Sequence, residues 1–186
     1  MIKLWWQSSY DRGLDVLLWM WPKIKEQLPD ATLDFCYGWD LFVKAYHNNP
    51  ERMAWKAKID ELMKQDGITH HGRIGQEEMR ELRSKMDIWV YPTYFTEINC
   101  IGALECQRDG VVPCVINLAA LEETVQSGVK VDGDIYQVDV RKKFIDELVK
   151  LAKDPKRLEE ERVKGKEFAK TVEWSLIADK WNKEFK

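Results

Sequence analysis

Hydrophobic residues recur along the chain with two different spacings, one typical of helices and one typical of strands. Leu14, Leu18 and Trp21 follow the three-to-four-residue spacing of a helix face. Short apolar runs at 88–91 and 111–116 are instead typical of buried strands. Together these patterns predict strands at 2–6, 32–37, 68–71, 88–91, 111–116 and, weakly, 135–138, with helices at 12–27, 51–65, 76–85, 98–107, 142–153, 155–170 and 175–185.

Strands alternate with helices along the chain, and this order predicts an α/β fold. The run at 111–116 contains almost no polar residue, so we expect its strand to be covered on both faces, as strands of parallel sheets are. The expected fold is a parallel sheet with helices on both faces. Ligands bind such sheets at the carboxyl ends of the strands. The loops at 8–12, 37–38, 72–73 and 91–97 should therefore line one rim.

Two glutamates, Glu97 and Glu105, stand eight residues apart, just after the predicted strand at 88–91. Eight helical residues rise about 12 Å and leave two side chains about 80° apart, so the predicted helix at 98–107 would place both glutamates on a similar side. The free N–H groups of residues 98–100 would lie between the two carboxylates and could bind a phosphate. Hydroxyl-binding carboxylates on either side of a phosphate site fit a nucleotide-sugar.

The same residues resemble the retaining family-4 glycosyltransferases of GT-B fold. Glu97 to Glu105 matches the E-x7-E motif of that family, and further segments resemble the family in the same order along the chain. These segments are 8–18, 21–33 with Tyr37-Gly38, 71–78, Gly110 to Pro113 with 121–125, and 174–181. The resemblance implies that the chain is one Rossmann-like half of a GT-B architecture, the C-terminal, donor-binding domain.

The resemblance also implies a set of functional residues. Glu97 would be the catalytic residue, contacting the hydroxyls of the donor sugar, and Glu105 would bind the ribose. Arg12 would hold the diphosphate, and the Gly72-Arg73 loop would border the base. The full implied donor-binding set is Ser9, Arg12, Gly38, Gly72, Arg73, Ile98, Asn99, Cys100, Ile101 and Glu105.

Two positions depart from the family pattern. Gln7 stands where relatives often have a second basic residue, so part of the phosphate clamp is missing or is supplied elsewhere. Cys100 replaces a glycine that most relatives have. A helix N-terminus lowers the pKa of a thiol, but no histidine near Cys100 in sequence could serve as its base, so a nucleophilic role is disfavoured.

Simpler structural roles remain open for the same side chains. Arg12 could be a solvated surface residue, and Ser9 could cap a turn. Glu97 could only complement a helix dipole, while Glu105 could form a surface ion pair with Arg108.

Composition excludes some classes of function. The net charge is −3, which gives no electrostatic case for binding nucleic acid. The four cysteines show no C-x-x-C spacing, so we expect no metal site and reduced thiols in a cytoplasmic protein. No apolar run approaches 18 residues, so no transmembrane segment is expected. Contact with a membrane surface through another domain remains open.

The length of 186 residues predicts one domain. We expect a single Rossmann-like nucleotide-sugar-binding domain at 1–186, with the helices at 142–186 packed on it and an N-terminal acceptor domain absent. The expected activity is transfer of a hexose-type sugar from a UDP-, GDP- or ADP-sugar to an acceptor hydroxyl, without a metal ion or other cofactor. The acceptor domain would act in cis or in trans, and the isolated chain would be inactive. The alternatives are a non-catalytic nucleotide-binding or scaffolding module on the same fold and a nucleotide-sugar epimerase of GT-B fold.

Overall fold

A six-stranded sheet forms the centre of the structure, a computed structural model that describes residues 1–185. The strands are β1 (Lys3–Gln7), β2 (Thr32–Cys36), β3 (Ile68–His70), β4 (Ile88–Tyr91), β5 (Val112–Ile116) and β6 (Val129–Val131). All neighbouring strands run parallel, in the order β3-β2-β1-β4-β5-β6. The direction of winding changes between β1 and β4, so the carboxyl ends of these two strands mark the place where open α/β sheets bind ligands.

Helices follow most of the strands. They are α1 (Leu14–Gln27), α2 (Asp40–Tyr46), α3 (Pro50–Leu62), α4 (Gln76–Arg83), α5 (Ile101–Arg108), α6 (Leu121–Thr124), α7 (Val138–Lys153), α8 (Pro155–Thr171) and α9 (Trp174–Glu184). Two of their starts follow directly from local chemistry. Asn49 and Asp154 each accept a hydrogen bond from a backbone N–H of the first turn of α3 and α8, and each is followed by a proline. A proline at this position loses no helical hydrogen bond, because its missing N–H would be unpaired there anyway.

The core lies on both faces of the sheet. Every residue of β4 and of β5 is buried, which requires cover on both sides. Helix α1 packs with α3 and α7, and α5 packs with α8. The predicted fold class, an α/β Rossmann-like parallel sheet with helices on both faces, is confirmed. Within residues 1–185, no helix is long and apolar enough to cross a membrane.

The prediction of the last strand is wrong. The strand is β6, in which the exposed Lys130 stands between two buried valines. At 135–138, Asp134 accepts a hydrogen bond from the backbone N–H of Tyr136 at 2.9 Å and closes a turn, and α7 begins at Val138. The hydrophobic pattern also fails to predict α2, because none of its residues is buried.

Candidate functional site

Two cavities meet at the carboxyl ends of β1 and β4. The larger, about 390 Å³, is lined by Tyr37 and Arg73 among others, and the smaller, about 250 Å³, lies beside Arg12 and Glu97. The residues that line both cavities are Gln7, Ser8, Ile101 and Gly102. The cavities therefore form one groove, here called the central groove, which passes the N-terminal end of α5.

The loop after β1 brings Arg12 to the smaller cavity. Residues Tyr10–Arg12 form a single 3-10 turn, and Gly13 follows with a φ of 112°. A side chain at Gly13 would be strained at this φ and would place its Cβ 2.6 Å from the carbonyl oxygen of Pro92. Gly13 thus lets the loop after β1 lie directly against the loop after β4.

An ion pair between Arg12 and Glu97 organises the smaller cavity. Arg12 Nη1 lies 3.2 Å from Glu97 Oε1 and 3.4 Å from Oε2. The guanidinium also lies over the ring of Phe95, 4.0 Å from its centroid. Tyr91, the last residue of β4, donates its hydroxyl hydrogen to Glu97 Oε1 at 2.6 Å. Glu97 is only 8% exposed, so its charge depends on these two donors.

The carboxylate affects the two neighbouring ionisable groups. Burial, and then the hydrogen bond to Glu97, raises the pKa of the Tyr91 hydroxyl above its usual value, so the tyrosine remains a donor. Burial raises the pKa of the Cys100 thiol to about 12, and the charge of Glu97 adds to the effect. Cys100 is therefore protonated at neutral pH, which argues against a nucleophilic role.

At the other end of the groove, a buried arginine holds Glu105. Arg83, the last residue of α4, is 1% exposed and donates from Nη1 to Glu105 Oε2 at 2.9 Å. Its Nε and Nη2 lie 2.8 and 2.6 Å from Asp109 Oδ2. Among the side-chain hydrogen bonds of residues 1–185, the carboxylate of Glu105 takes part through Oε2 only. Its Oε1 is therefore available to a ligand in the larger cavity.

The charges at and beneath the groove are matched in number. The guanidinium groups are Arg12 and Arg73, which line the groove, and Arg83, which is buried behind it; the carboxylates are Glu97, Glu105 and Asp109. Arg73 is the exposed member of this set. An anion in the groove thus meets little excess positive charge, and its recognition must depend on hydrogen-bond donors as well.

The loops after β2 and β3 are tied together beside the larger cavity. The backbone N–H of Gly38 donates to the Tyr10 hydroxyl at 2.7 Å, and this hydroxyl lies 2.6 Å from His70 Nε2. Burial lowers the pKa of His70, so its neutral ring can accept the hydrogen of the Tyr10 hydroxyl. Gly72 accepts a hydrogen bond from the backbone N–H of Tyr37 at 2.9 Å.

The structure brings most of the predicted site residues to the central groove. Those that line it are Arg12, Arg73, Glu97, Asn99, Cys100, Ile101 and Glu105. Ser9 does not line either cavity, because its hydroxyl donates to Asp11 at 2.5 Å within the turn. Gly38 and Gly72 shape the neighbouring loops without lining the groove, and Ile98 is 96% exposed and lines neither cavity.

One structural expectation for this segment is wrong, and one alternative for Glu105 is not observed. Helix α5 begins at Ile101, so residues 98–100 form a loop and their N–H groups are not the first turn of a helix. The first-turn residues that reach the groove are Ile101 and Gly102. Glu105 does not pair with Arg108, whose guanidinium binds Asp109 at 2.8 Å instead.

The sequence arguments missed three groups of the site. Tyr91 ends an apolar strand, and a tyrosine at the carboxyl end of a buried strand is a usable signal for a hydroxyl at the rim. Gln7 was noted only as a departure from the family pattern, although it lines both cavities. Arg83 stands in a strongly charged helix, where nothing in the sequence distinguishes it from a solvated residue.

Within residues 1–185, no three histidine, cysteine, aspartate or glutamate side chains lie close enough together to hold a metal ion. The four cysteines are all buried and unpaired.

Comparison with known proteins gives a family match and two similar solved structures. The family model described as glycosyl transferases group 1 matches residues 7–171. A structure of a GtfA/B complex has a TM-score of 0.76 and 14% identity, covering 98% of this chain and 35% of that chain. A sucrose-phosphate synthase from Thermosynechococcus elongatus has a TM-score of 0.76 and 18% identity, covering 99% of this chain and 45% of that chain. This chain thus spans less than half of either structure, and at these identities the similarity shows the fold alone. No curated protein matches it in sequence.

Proposed function

The chain belongs to the glycosyl transferases group 1 family, and we propose that it forms the donor-binding domain of a retaining glycosyltransferase. The donor is a UDP-, GDP- or ADP-sugar, and the reaction moves a hexose-type sugar to an acceptor hydroxyl. The observation that carries the proposal is the arrangement of the central groove. It has a carboxylate at each end and, between them, hydrogen-bond donors and the start of α5.

The diphosphate lies in the middle of the groove in this proposal. The positive end of the α5 dipole favours an anion beside Gly102, which has no side chain of its own and faces the amide of Gln7. Arg12 approaches from the loop after β1 and offers its guanidinium fork to phosphate oxygens. Ser8, which lines both cavities, adds a hydroxyl donor.

The nucleoside occupies the larger cavity. Glu105 Oε1, which is free of the Arg83 contact, accepts hydrogen bonds from the ribose hydroxyls. The base lies between Tyr37 and the Arg73-Ile74 segment, which line the far side of this cavity. A cavity of about 390 Å³ falls in the range that small-molecule sites occupy.

The donor sugar occupies the smaller cavity, with its hydroxyls on Glu97. The charge of Glu97 also lies near the anomeric carbon, which becomes positive in the transition state, so this carboxylate stabilises the transition state electrostatically. Retention requires the sugar to fold back under the diphosphate, so that the acceptor attacks from the side of the leaving group. Tyr91 keeps the carboxylate in place by its hydrogen bond of 2.6 Å.

The acceptor site belongs to a second domain, in cis or in trans. The residues assigned to the donor all lie on one rim of the sheet, which leaves the opposite wall of an active-site cleft to that domain. Arg12, Ser8 and the start of α5 bind the diphosphate without a metal ion in this proposal. The isolated chain is expected to bind the donor and to transfer no sugar.

Calorimetric titration of the chain with UDP, GDP, ADP and their common sugar conjugates, with and without magnesium, tests the proposal. We expect one base to be preferred and magnesium to make no difference. Glu105→Ala should weaken binding of that nucleotide about tenfold or more, the loss of a hydrogen bond to a charged group. Glu122→Ala is the matched control, since Glu122 is exposed on α6 and lies outside the groove. Equal affinities for all three bases, or an unchanged affinity of Glu105→Ala, would contradict the assignment.

A non-catalytic nucleotide-binding module is the second candidate, favoured by the matched charges of the groove. The carboxylate of Glu97 already forms an ion pair with Arg12, and in a module of this kind it would serve only that pair and bind no sugar hydroxyl. Such a module would bind the nucleotide with the same affinity whether or not a sugar is attached. Measured affinities for a nucleoside diphosphate and for its sugar conjugate distinguish the candidates. A donor domain binds the two ligands with different affinities, and substitution of Glu97 changes its affinity for the sugar conjugate. A non-catalytic module shows neither effect. An epimerase would instead release the epimer of the nucleotide-sugar once joined to its second domain.

A further inference from the structure

The side-chain amide of Gln7 has a defined orientation at the centre of the groove. Its Oε1 accepts hydrogen bonds from Trp5 Nε1 at 2.8 Å and from Arg83 Nη1 at 2.8 Å. An indole N–H and a guanidinium are donors that cannot accept. Rotating the amide by 180° would turn its NH₂ group against both of them and break both bonds. The oxygen of Gln7 is therefore fixed inward.

The NH₂ group of Gln7 consequently faces the groove. Nε2 lies 3.4 Å from Glu105 Oε2, a long contact that uses at most one of its two hydrogens. A Cβ added at Gly102 would come within 3.0 Å of this nitrogen, so Nε2 stands beside the first turn of α5. Gln7 and Gly102 both line the two cavities. A donor hydrogen is thus directed to the point where the cavities meet.

The groups that fix this orientation are themselves buried. Trp5 is fully buried, and Arg83 is 1% exposed. Asp109 and Glu105 hold the guanidinium of Arg83 through three of its nitrogen atoms. Fixed donors of this kind bind an anion without having to reorganise, which makes each hydrogen bond more favourable.

We propose that Gln7 binds a phosphate oxygen of a nucleoside diphosphate through Nε2, and that Arg83 is a positioning residue that acts through Gln7 and Glu105. The inference rests on the proposed function and assigns it two further residues. The proposal also explains how a groove with equal numbers of positive and negative side chains could bind an anion. Gln7 supplies a neutral donor at the phosphate position, and the positive charge of Arg83, buried behind it, polarises the amide toward the ligand.

Gln7→Glu is the sharpest test because it exchanges only the NH₂ group for an oxygen. The inner oxygen can still accept from Trp5 and Arg83, and the new charge lies beside Arg83, so we expect the variant to fold. The probes are UDP, GDP and ADP, each compared by calorimetry with its own nucleoside. The substitution should weaken the preferred nucleoside diphosphate at least about tenfold more than its nucleoside, since a donor to phosphate is replaced by a repelling acceptor. The nucleoside reports any change at Glu105, whose Oε2 lies 3.4 Å from the exchanged group.

Arg83→Met and the double variant Gln7→Leu, Arg83→Met test the positioning role. If Arg83 acts on the phosphate through Gln7, its removal lowers the ratio of diphosphate to nucleoside affinity in the wild-type background and changes this ratio little once Gln7 is leucine. Its effect through Glu105 weakens the diphosphate and the nucleoside alike and leaves the ratio unchanged. Arg83→Lys should recover part of the ratio, and an equal further fall of the ratio in the double variant would overturn the positioning role at the phosphate.

The possible failures separate the two proposals. If Gln7→Glu binds the diphosphate as the wild type does, or loses nucleoside and diphosphate equally, the phosphate role of Gln7 is overturned and the donor-binding proposal stands. If the wild type binds none of the three diphosphates at millimolar concentration, both are overturned. The thermal unfolding midpoint of each variant, measured in parallel, verifies that affinities are compared between folded proteins.

Discussion

Replacing Glu97 by alanine should separate recognition of the sugar from recognition of the diphosphate. Glu97 holds Arg12 by an ion pair at 3.2 Å, and the same arginine is proposed to bind phosphate. In the wild type, a diphosphate must share Arg12 with Glu97. Without the carboxylate, the guanidinium is free for the phosphate, while the hydroxyls of the donor sugar lose their acceptor. The two ligands should therefore respond in opposite directions.

The structure sets the magnitudes. A hydrogen bond to a charged group contributes about 1.5–3 kcal/mol, so the nucleotide-sugar should bind roughly 10- to 150-fold more weakly to Glu97→Ala. The side chain of Arg12 is 35% exposed, so its ion pair is worth about 1 kcal/mol at most. The bare nucleoside diphosphate should accordingly bind as in the wild type or up to about fivefold more tightly.

Calorimetry with both ligands at one pH and one salt concentration measures these changes. Glu97→Gln is the matched variant, because the amide oxygen can still accept from Tyr91 while the ion pair with Arg12 is lost. It should match Glu97→Ala for the bare diphosphate and lose less for the nucleotide-sugar. Glu122→Ala should resemble the wild type for both. Equal losses for the two ligands in Glu97→Ala would refute the role given to Glu97.

Three further predictions concern stability and reactivity. Leu17→Ala removes a fully buried side chain from α1 and should lower the free energy of unfolding, measured in urea, by about 2–5 kcal/mol. The control Ile98→Ala, at a position that is 96% exposed, should change this free energy by less than about 0.5 kcal/mol. Similar losses in the two variants would contradict the assigned core. Because burial raises the pKa of Cys100 to about 12, alkylation of the native protein at pH 8 should be slow and should become fast in denaturant, and rapid native labelling at Cys100 would exclude this environment. Burial lowers the pKa of His70 below its ordinary value of 6.5, so on acidification the unfolded chain binds a proton at this histidine before the folded chain does. The contribution of His70 to the free energy of unfolding is therefore fully present above pH 6.5 and is lost as the pH falls from there toward the lowered pKa. The thermal midpoint should therefore drop between pH 7.5 and 5.5, and less so in His70→Gln, which keeps an acceptor for Tyr10; an equal drop in both proteins would assign the effect to other groups.

The sheet could be predicted from the sequence because most of its strands have strong local signals. The strands β4 and β5 are short apolar runs that are buried along their whole length. The start of α5 could not be predicted in this way. The carbonyl of Glu97 accepts a hydrogen bond from the backbone N–H of Ala120 at 3.2 Å, which ties the segment to the turn before α6. A bond between residues so far apart in sequence overrides the local helical pattern of residues 98–100.

The candidate site was predictable at its carboxylates and not at the groups that hold them. The spacing of Glu97 and Glu105 points to one groove because both follow a buried strand. Arg83 lies in a highly charged helix by composition, and its guanidinium is buried against Gln7, Glu105 and Asp109. The orientation of Gln7 depends in turn on Arg83 and on Trp5. Such a chain of contacts between distant residues leaves no periodic signal in the sequence.

The paired charges of the groove bear on which ligand it should prefer. Glu97 and Glu105 are acceptors engaged by arginines, while Arg12 and Gln7 are donors turned toward or beside a carboxylate. A free phosphate could engage the donors but would have to displace the ion pair between Arg12 and Glu97, which is worth about 1 kcal/mol at most. A free sugar could donate hydroxyl hydrogens to the carboxylates but would offer nothing to Arg12. In the proposed donor both kinds of group are joined in one molecule, with hydroxyls at the two ends and phosphates between them. Binding it exchanges the Arg12–Glu97 pair for two ligand contacts and leaves the Arg83–Glu105 pair in place, so the intact nucleotide-sugar should bind more tightly than the separate affinities of its parts would suggest.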